Sequence, residues 1–70
     1  MDWGFIEDNW PQMRGNVRSQ WGRLTNSEFD AIAGHRELLL RTIRATYGLT
    51  RDEADNQIRV FESRHMDFRT

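Results

Sequence analysis

The chain has no cysteine, so neither a disulfide framework nor a thiolate-ligated zinc or iron–sulfur centre can hold its 70 residues together. It has no lysine either, and all ten cationic residues are arginine. Arginine favours bidentate pairing with carboxylates and phosphates, but a preference that runs through the whole chain reflects composition more than a site. Proline occurs once and the five glycines are dispersed, which leaves no Gly/Ser linker and no glycine-rich phosphate loop. One domain over residues 1–70 is expected. No apolar run approaches the roughly 18 residues that span a bilayer, and Met1-Asp2-Trp3-Gly4 has neither the basic start nor the apolar stretch of a signal peptide. The expected compartment is the cytoplasm. A net charge of -1 gives no bulk attraction to nucleic acid or anionic lipid, so binding of either kind requires a local basic patch.

Three Trp, four Phe and one Tyr supply large apolar side chains. They are needed, because below about 80 residues one core rarely supplies more than roughly 3–5 kcal/mol. Charged residues make up 30% of the chain, but the two signs nearly balance and the aromatics argue for a folded domain rather than disorder.

Four helices are legible. Asn9-Trp10-Pro11 reads as an N-cap with Pro in the first turn, followed by Trp10, Met13, Val17 and Trp21 on a stripe less than about 90° wide, predicting a helix over about 10–21. Gly22 fits a left-handed terminator. Thr25-Asn26-Ser27-Glu28 is a T-x-x-E capping box that opens a short helix over 26–33, with Phe29, Ile32 and Ala33 inward and Gly34 as its end or bend. Residues 35–47 place Leu39, Leu40, Ile43 and Tyr47 on one face, Leu38 and Ala45 on another, and Glu37 with Arg41 as a solvent-side pair. Gly48 stops that helix. Thr50-Arg51-Asp52-Glu53 is a second capping box, and Ala54, Ile58, Phe61, His65 and Phe68 form the stripe of a helix over 51–65.

Trp21-Gly22-Arg23-Leu24-Thr25-x-x-Glu28 and Tyr47-Gly48-Leu49-Thr50-x-x-Glu53 echo one another as aromatic, glycine stop, leucine and capped restart. Each leucine is expected to plug the core beside its turn. The expected architecture is all-α, four helices as two crossed αα-hairpins in one small bundle. Its core is Trp10, Trp21, Phe29, Leu39, Ile43, Tyr47, Ile58 and Phe61. Trp3, Phe5 and Ile6 are expected to lid that core, since leaving them in water forgoes burial worth about 25 cal/mol per Å².

On these residues the chain resembles the CsbD-like family of small bacterial general-stress proteins. The family's Gly-Asn-Trp-x-Gln, basic residue and Gly correspond to Asn9-Trp10-Pro11-Gln12-Met13-Arg14-Gly15, and its Gln-Trp-Gly-Lys-Leu-Thr to Gln20-Trp21-Gly22-Arg23-Leu24-Thr25. Its Ile-x-Gly-Lys-Arg is echoed by Ile32-Ala33-Gly34-His35-Arg36, and its Arg-Tyr-Gly by Ala45-Thr46-Tyr47-Gly48. The likeness runs over roughly residues 3–62. Asp8 stands for the usual Gly, Arg for Lys throughout, His35 where Lys is common and Leu40 where Gly is frequent. These departures weaken the idea of a lysine-rich working surface. The resemblance implies two crossed α-hairpins and induction under general stress, and it brings no catalytic residues.

No catalytic, cofactor or metal site is expected. His35 and His65 are the only imidazoles and show no ligand spacing. Ser19, Ser27 and Ser63 lie in a capping turn or on polar faces, without an activating histidine. The residues, together with the stress association that the resemblance implies, lead us to expect a non-enzymatic protein acting through its surface on an unidentified protein partner or on itself. The rival reading is a nucleic-acid-binding module in which Arg14 and Arg18 of the first helix and Arg36, Arg41 and Arg44 of the third contact phosphates. Against it, residues 36–70 carry seven Arg and six Asp/Glu, a pattern that suits a solvated polar face.

Overall fold

The computed structural model describes residues 3–65. Periodic apolar stripes and capped restarts give five helices: α1 (Gly4–Asp8), α2 (Trp10–Gln20), α3 (Asn26–Ile32), α4 (Arg36–Tyr47) and α5 (Arg51–His65). The described residues contain no strand. Four of the five helices match expectation to within one residue at either end, and α1 was not expected.

α1 continues the stripe of α2 backwards. Trp3 and Ile6 precede Trp10 at spacings of 3 and 4, and all three are buried. The stripe is broken at Asn9 (φ -113°, ψ 29°) just ahead of Pro11, which offers no N–H for an intrahelical bond. Asn9 occupies the N-cap position of α2, but its side chain caps nothing there. Its amide instead donates to the Phe5 carbonyl at 2.8 Å and closes the end of α1.

Both T-x-x-E boxes form. The Glu28 N–H donates to Thr25 Oγ1 at 3.1 Å while the Thr25 N–H donates to Glu28 Oε1 at 2.8 Å. The pair Thr50 and Glu53 repeats these bonds at the same two distances. Gly48 ends α4 at φ +67°, as the glycine stop requires. Gly22 does not adopt a left-handed conformation, contrary to the sequence reading. The chain leaves α2 through Trp21 (φ -127°, ψ 71°), so no positive φ is needed there. α3 ends one residue earlier than expected because Ala33 is itself left-handed (φ 48°) and is followed by Gly34 at φ +85°.

Fifteen described apolar side chains form one buried cluster drawn from all five helices and from the joint between α2 and α3. Of the eight expected core residues seven are buried; Tyr47 only packs against the cluster from its edge. Its hydroxyl accepts the Arg23 N–H at 3.0 Å, and a group so bonded stays at the rim. Leu24 plugs the core beside its turn, whereas Leu49 is only partly buried. Trp3 and Ile6 do lid the core, with Phe5 packed beside them. The side chain of His65, and Phe68, lie outside the described residues.

The rings pack with tilted geometry. Phe61 meets Trp21 with centroids 5.3 Å apart and Trp3 at 6.3 Å. Each of these indoles finds an acceptor: Trp21 Nε1 donates to Gln57 Oε1 at 2.9 Å, and Trp3 Nε1 donates to the Gly34 carbonyl. α4 packs on both α3 and α5, which makes it central. The additional α1 gives five helices, four of them of seven residues or more, where four as two crossed hairpins were expected.

Candidate functional site

The arginines were the sequence's only candidates, and the fold separates them. Arg14 of α2 pairs with Asp30 of α3 at 2.6 Å, donates to the Asn26 carbonyl and lies over the Phe29 ring, so it ties α2 to α3. Arg18, one turn on, donates to the Asn26 side-chain oxygen. Arg36 is turned toward α5, 2.8 Å from Asp55 and 3.5 Å from Glu62. These three are contacts between helices.

Arg41 and Arg44 are different. They stand one turn apart on the outer face of α4 and, with Ala45 and Leu49, line an open cleft of about 300 Å³. Arg44 Nε donates to the Leu49 carbonyl at 3.3 Å, a contact with the turn that follows its own helix. It has no ion pair among the described residues. Arg41 has the expected partner Glu37, but only at 3.6 Å. Both Glu37 carboxylate oxygens are engaged by Arg51, at 3.1 and 3.2 Å. Those bonds are the main reason the Glu37 pKa lies below its ordinary value; desolvation opposes them, and the charges of Arg51, Arg41 and Arg36 add to the lowering. The Arg51 pKa is raised in return. One carboxylate thus faces two guanidinium groups here.

At the C-terminal end of α4, Arg23 from the α2–α3 joint lays its guanidinium over the Tyr47 ring, 5.4 Å from the centroid. This contact and the bond from the Arg23 N–H to Tyr47 bring the two echoed joints to the same end of the molecule. The sequence marked Arg41 and Arg44 but not the cleft, because Leu49 reaches it only through the turn at Gly48. The Arg51–Glu37 pair was also missed, since it joins two helices and has no local spacing.

Among the described residues no group of three or more His, Asp or Glu is placed to hold a metal ion, and no buried side-chain polar atom lacks a partner. No described helix is long and apolar enough to cross a membrane.

The described residues form a small all-helical protein with a closed aromatic core and an arginine-flanked surface cleft. By sequence it is 39% identical over 61 residues to a UPF0337 protein of Nitrosomonas europaea, an alignment covering 87% of this chain and 65% of that protein. It is 39% identical over 61 residues to the UPF0337 protein YjbJ of Escherichia coli O6:H1, covering 87% of each. A UPF0337 protein of Agrobacterium fabrum is 45% identical over 58 residues, covering 83% of this chain and 87% of the relative. The chain belongs to the UPF0337 family. It spans just under two thirds of the Nitrosomonas protein's length, and the names of these relatives state no activity. No family model matches the chain, and no solved structure matches it significantly.

Proposed function

We propose that this UPF0337 protein is a non-enzymatic, CsbD-like stress-response protein of the cytoplasm, and that it acts through the outer face of α4. The observation that carries the reading is how its charged side chains are used. Arg14, Arg36, Arg51 and Arg59 pair with carboxylates, Arg18 donates to Asn26 and Arg23 lies over the Tyr47 ring, whereas Arg44 has neither a carboxylate nor a ring partner among the described residues and Arg41 shares Glu37 with Arg51. Those two arginines border the cleft and have donors to offer a partner.

A reading as a nucleic-acid module has less support. Phosphate recognition along a backbone needs several cations on one continuous face. Arg14, Arg18 and Arg36 are engaged with α3 and α5, which leaves the pair on α4.

The test is genetic. Deleting the gene in the bacterium that carries it is expected to lower survival under the stress that most raises the protein's abundance. The wild-type chain restores survival, and a folded Arg41→Glu/Arg44→Glu chain does not. Full rescue by that variant, or no survival defect in the deletion, contradicts the reading.

A further inference from the structure

We infer that the cleft on α4 is a binding site for an amphiphilic anion, an apolar chain ending in a carboxylate or a phosphate. This rests on the reading of the outer face of α4 as the working surface and adds the chemistry of what it takes.

Three features converge on that ligand class. First, the cleft is cationic. Arg51 occupies both oxygens of Glu37, so Arg41 is only partly neutralised, and Arg44 has no carboxylate at all among the described residues. A neutral ligand leaves those exposed donors to water and gains nothing from their charge, and a cationic one is repelled. Second, Arg44 keeps donors to offer. Its Nε is bonded to the Leu49 carbonyl, while its two terminal nitrogens have no partner among the described residues. With Nε so occupied, the two terminal nitrogens remain as donors, and a guanidinium offers these in the planar fork that matches carboxylate and phosphate oxygens. Third, part of the lining is apolar. Ala45 and Leu49 line the cleft with the two arginines, and Leu38, 37% exposed, shares a helix face with Arg41 and Ala45 at i, i+3 and i+7. A bare inorganic anion leaves that part wet. An attached chain covers it.

The volume of about 300 Å³ lies at the lower end of ligand pockets. The cleft is open, so a short chain and weak, fast exchange are expected.

Titration followed by NMR decides the question, with decanoate and decyl phosphate kept below their micellar concentrations. Inorganic phosphate and decanol serve as the half-ligands. Both amphiphiles are expected to shift the Ala45 and Leu49 methyl resonances saturably. Arg41→Gln/Arg44→Gln weakens that binding about tenfold or more, as the loss of charge-assisted bonds requires. Arg59→Gln, whose side chain reaches Asp55 on its own helix, leaves it unchanged. Phosphatidylcholine vesicles with and without phosphatidylglycerol separate the sources. Saturation by the monomers assigns a free amphiphile, and saturation only by phosphatidylglycerol vesicles assigns a lipid headgroup. The inference is overturned if nothing saturates, if decanol or inorganic phosphate alone binds as well as decanoate, or if the double glutamine variant binds like the wild type. If binding fails while the Arg41→Glu/Arg44→Glu chain still cannot restore survival, the ligand class is wrong and the working face stands.

Discussion

Gly34 shows how much can rest on one missing methyl group. Its φ of +85° is unfavourable for any other residue, and a Cβ there meets the Glu7 Cα at 3.1 Å and the Trp10 Cβ at 3.3 Å. The helix stop at this position was legible from the residue type. The reason for it was not, because the Glu7 backbone arrives from 27 positions away in the chain. Gly34→Ala is expected to cost about 1–2 kcal/mol from the backbone conformation alone, with α1 displaced in addition. Gly15 makes the contrast: it lies inside α2 with nothing within 4 Å of an added Cβ. Gly15→Ala is expected to stabilise the protein by about 0.5–1 kcal/mol. Opposite shifts of the denaturant midpoint check the pair, and the same sign for both substitutions contradicts this account of the two glycines.

At the level of elements, the capping boxes were fully legible because their chemistry is local. Thr25→Ala and Thr50→Ala each remove an acceptor from a helix start, and each is expected to cost about 0.5–2 kcal/mol in equilibrium denaturation. Interhelical pairs were not legible, since nothing in the spacing of Glu37 and Arg51 announces their meeting. Asn9 shows the limit of a local rule: its residue type fits an N-cap, but its side chain turned back to close α1. The Glu37–Arg51 pair also predicts a pH dependence. Glu37 holds its proton less tightly in the folded chain than in the unfolded one. The stabilisation is therefore present above the ordinary carboxylate range and disappears as pH falls through the lowered folded value. Glu37→Gln should be slightly less stable than the wild type at neutral pH, with the difference closing in acid; the pair is exposed, so the effect is small. Denaturation midpoints of both proteins measured from neutral to acid pH test this. A gap that widens on acidification contradicts it.

For the whole molecule, an all-α fold around aromatic stripes could be read from periodicity, because each stripe is a local pattern. The way the helices pack could not. Trp3, Phe5 and Ile6 were read as a lid ahead of the first helix, and α1 there adds a fifth helix to the four expected. The candidate site was legible only as a set of five arginines. Tertiary structure then divided them into three that tie helices together and two that border a cleft. Both the fold and the proposed surface depend on one closed core that buries all three tryptophans, Trp3 ahead of α1, Trp10 at the start of α2 and Trp21 at its end. The most direct measurement is denaturant unfolding followed in parallel by tryptophan fluorescence and far-ultraviolet circular dichroism. The account predicts blue-shifted native emission and a single transition at which both signals change together. Native emission typical of tryptophan in water, or loss of the fluorescence signal well before the helical signal, would contradict a shared core.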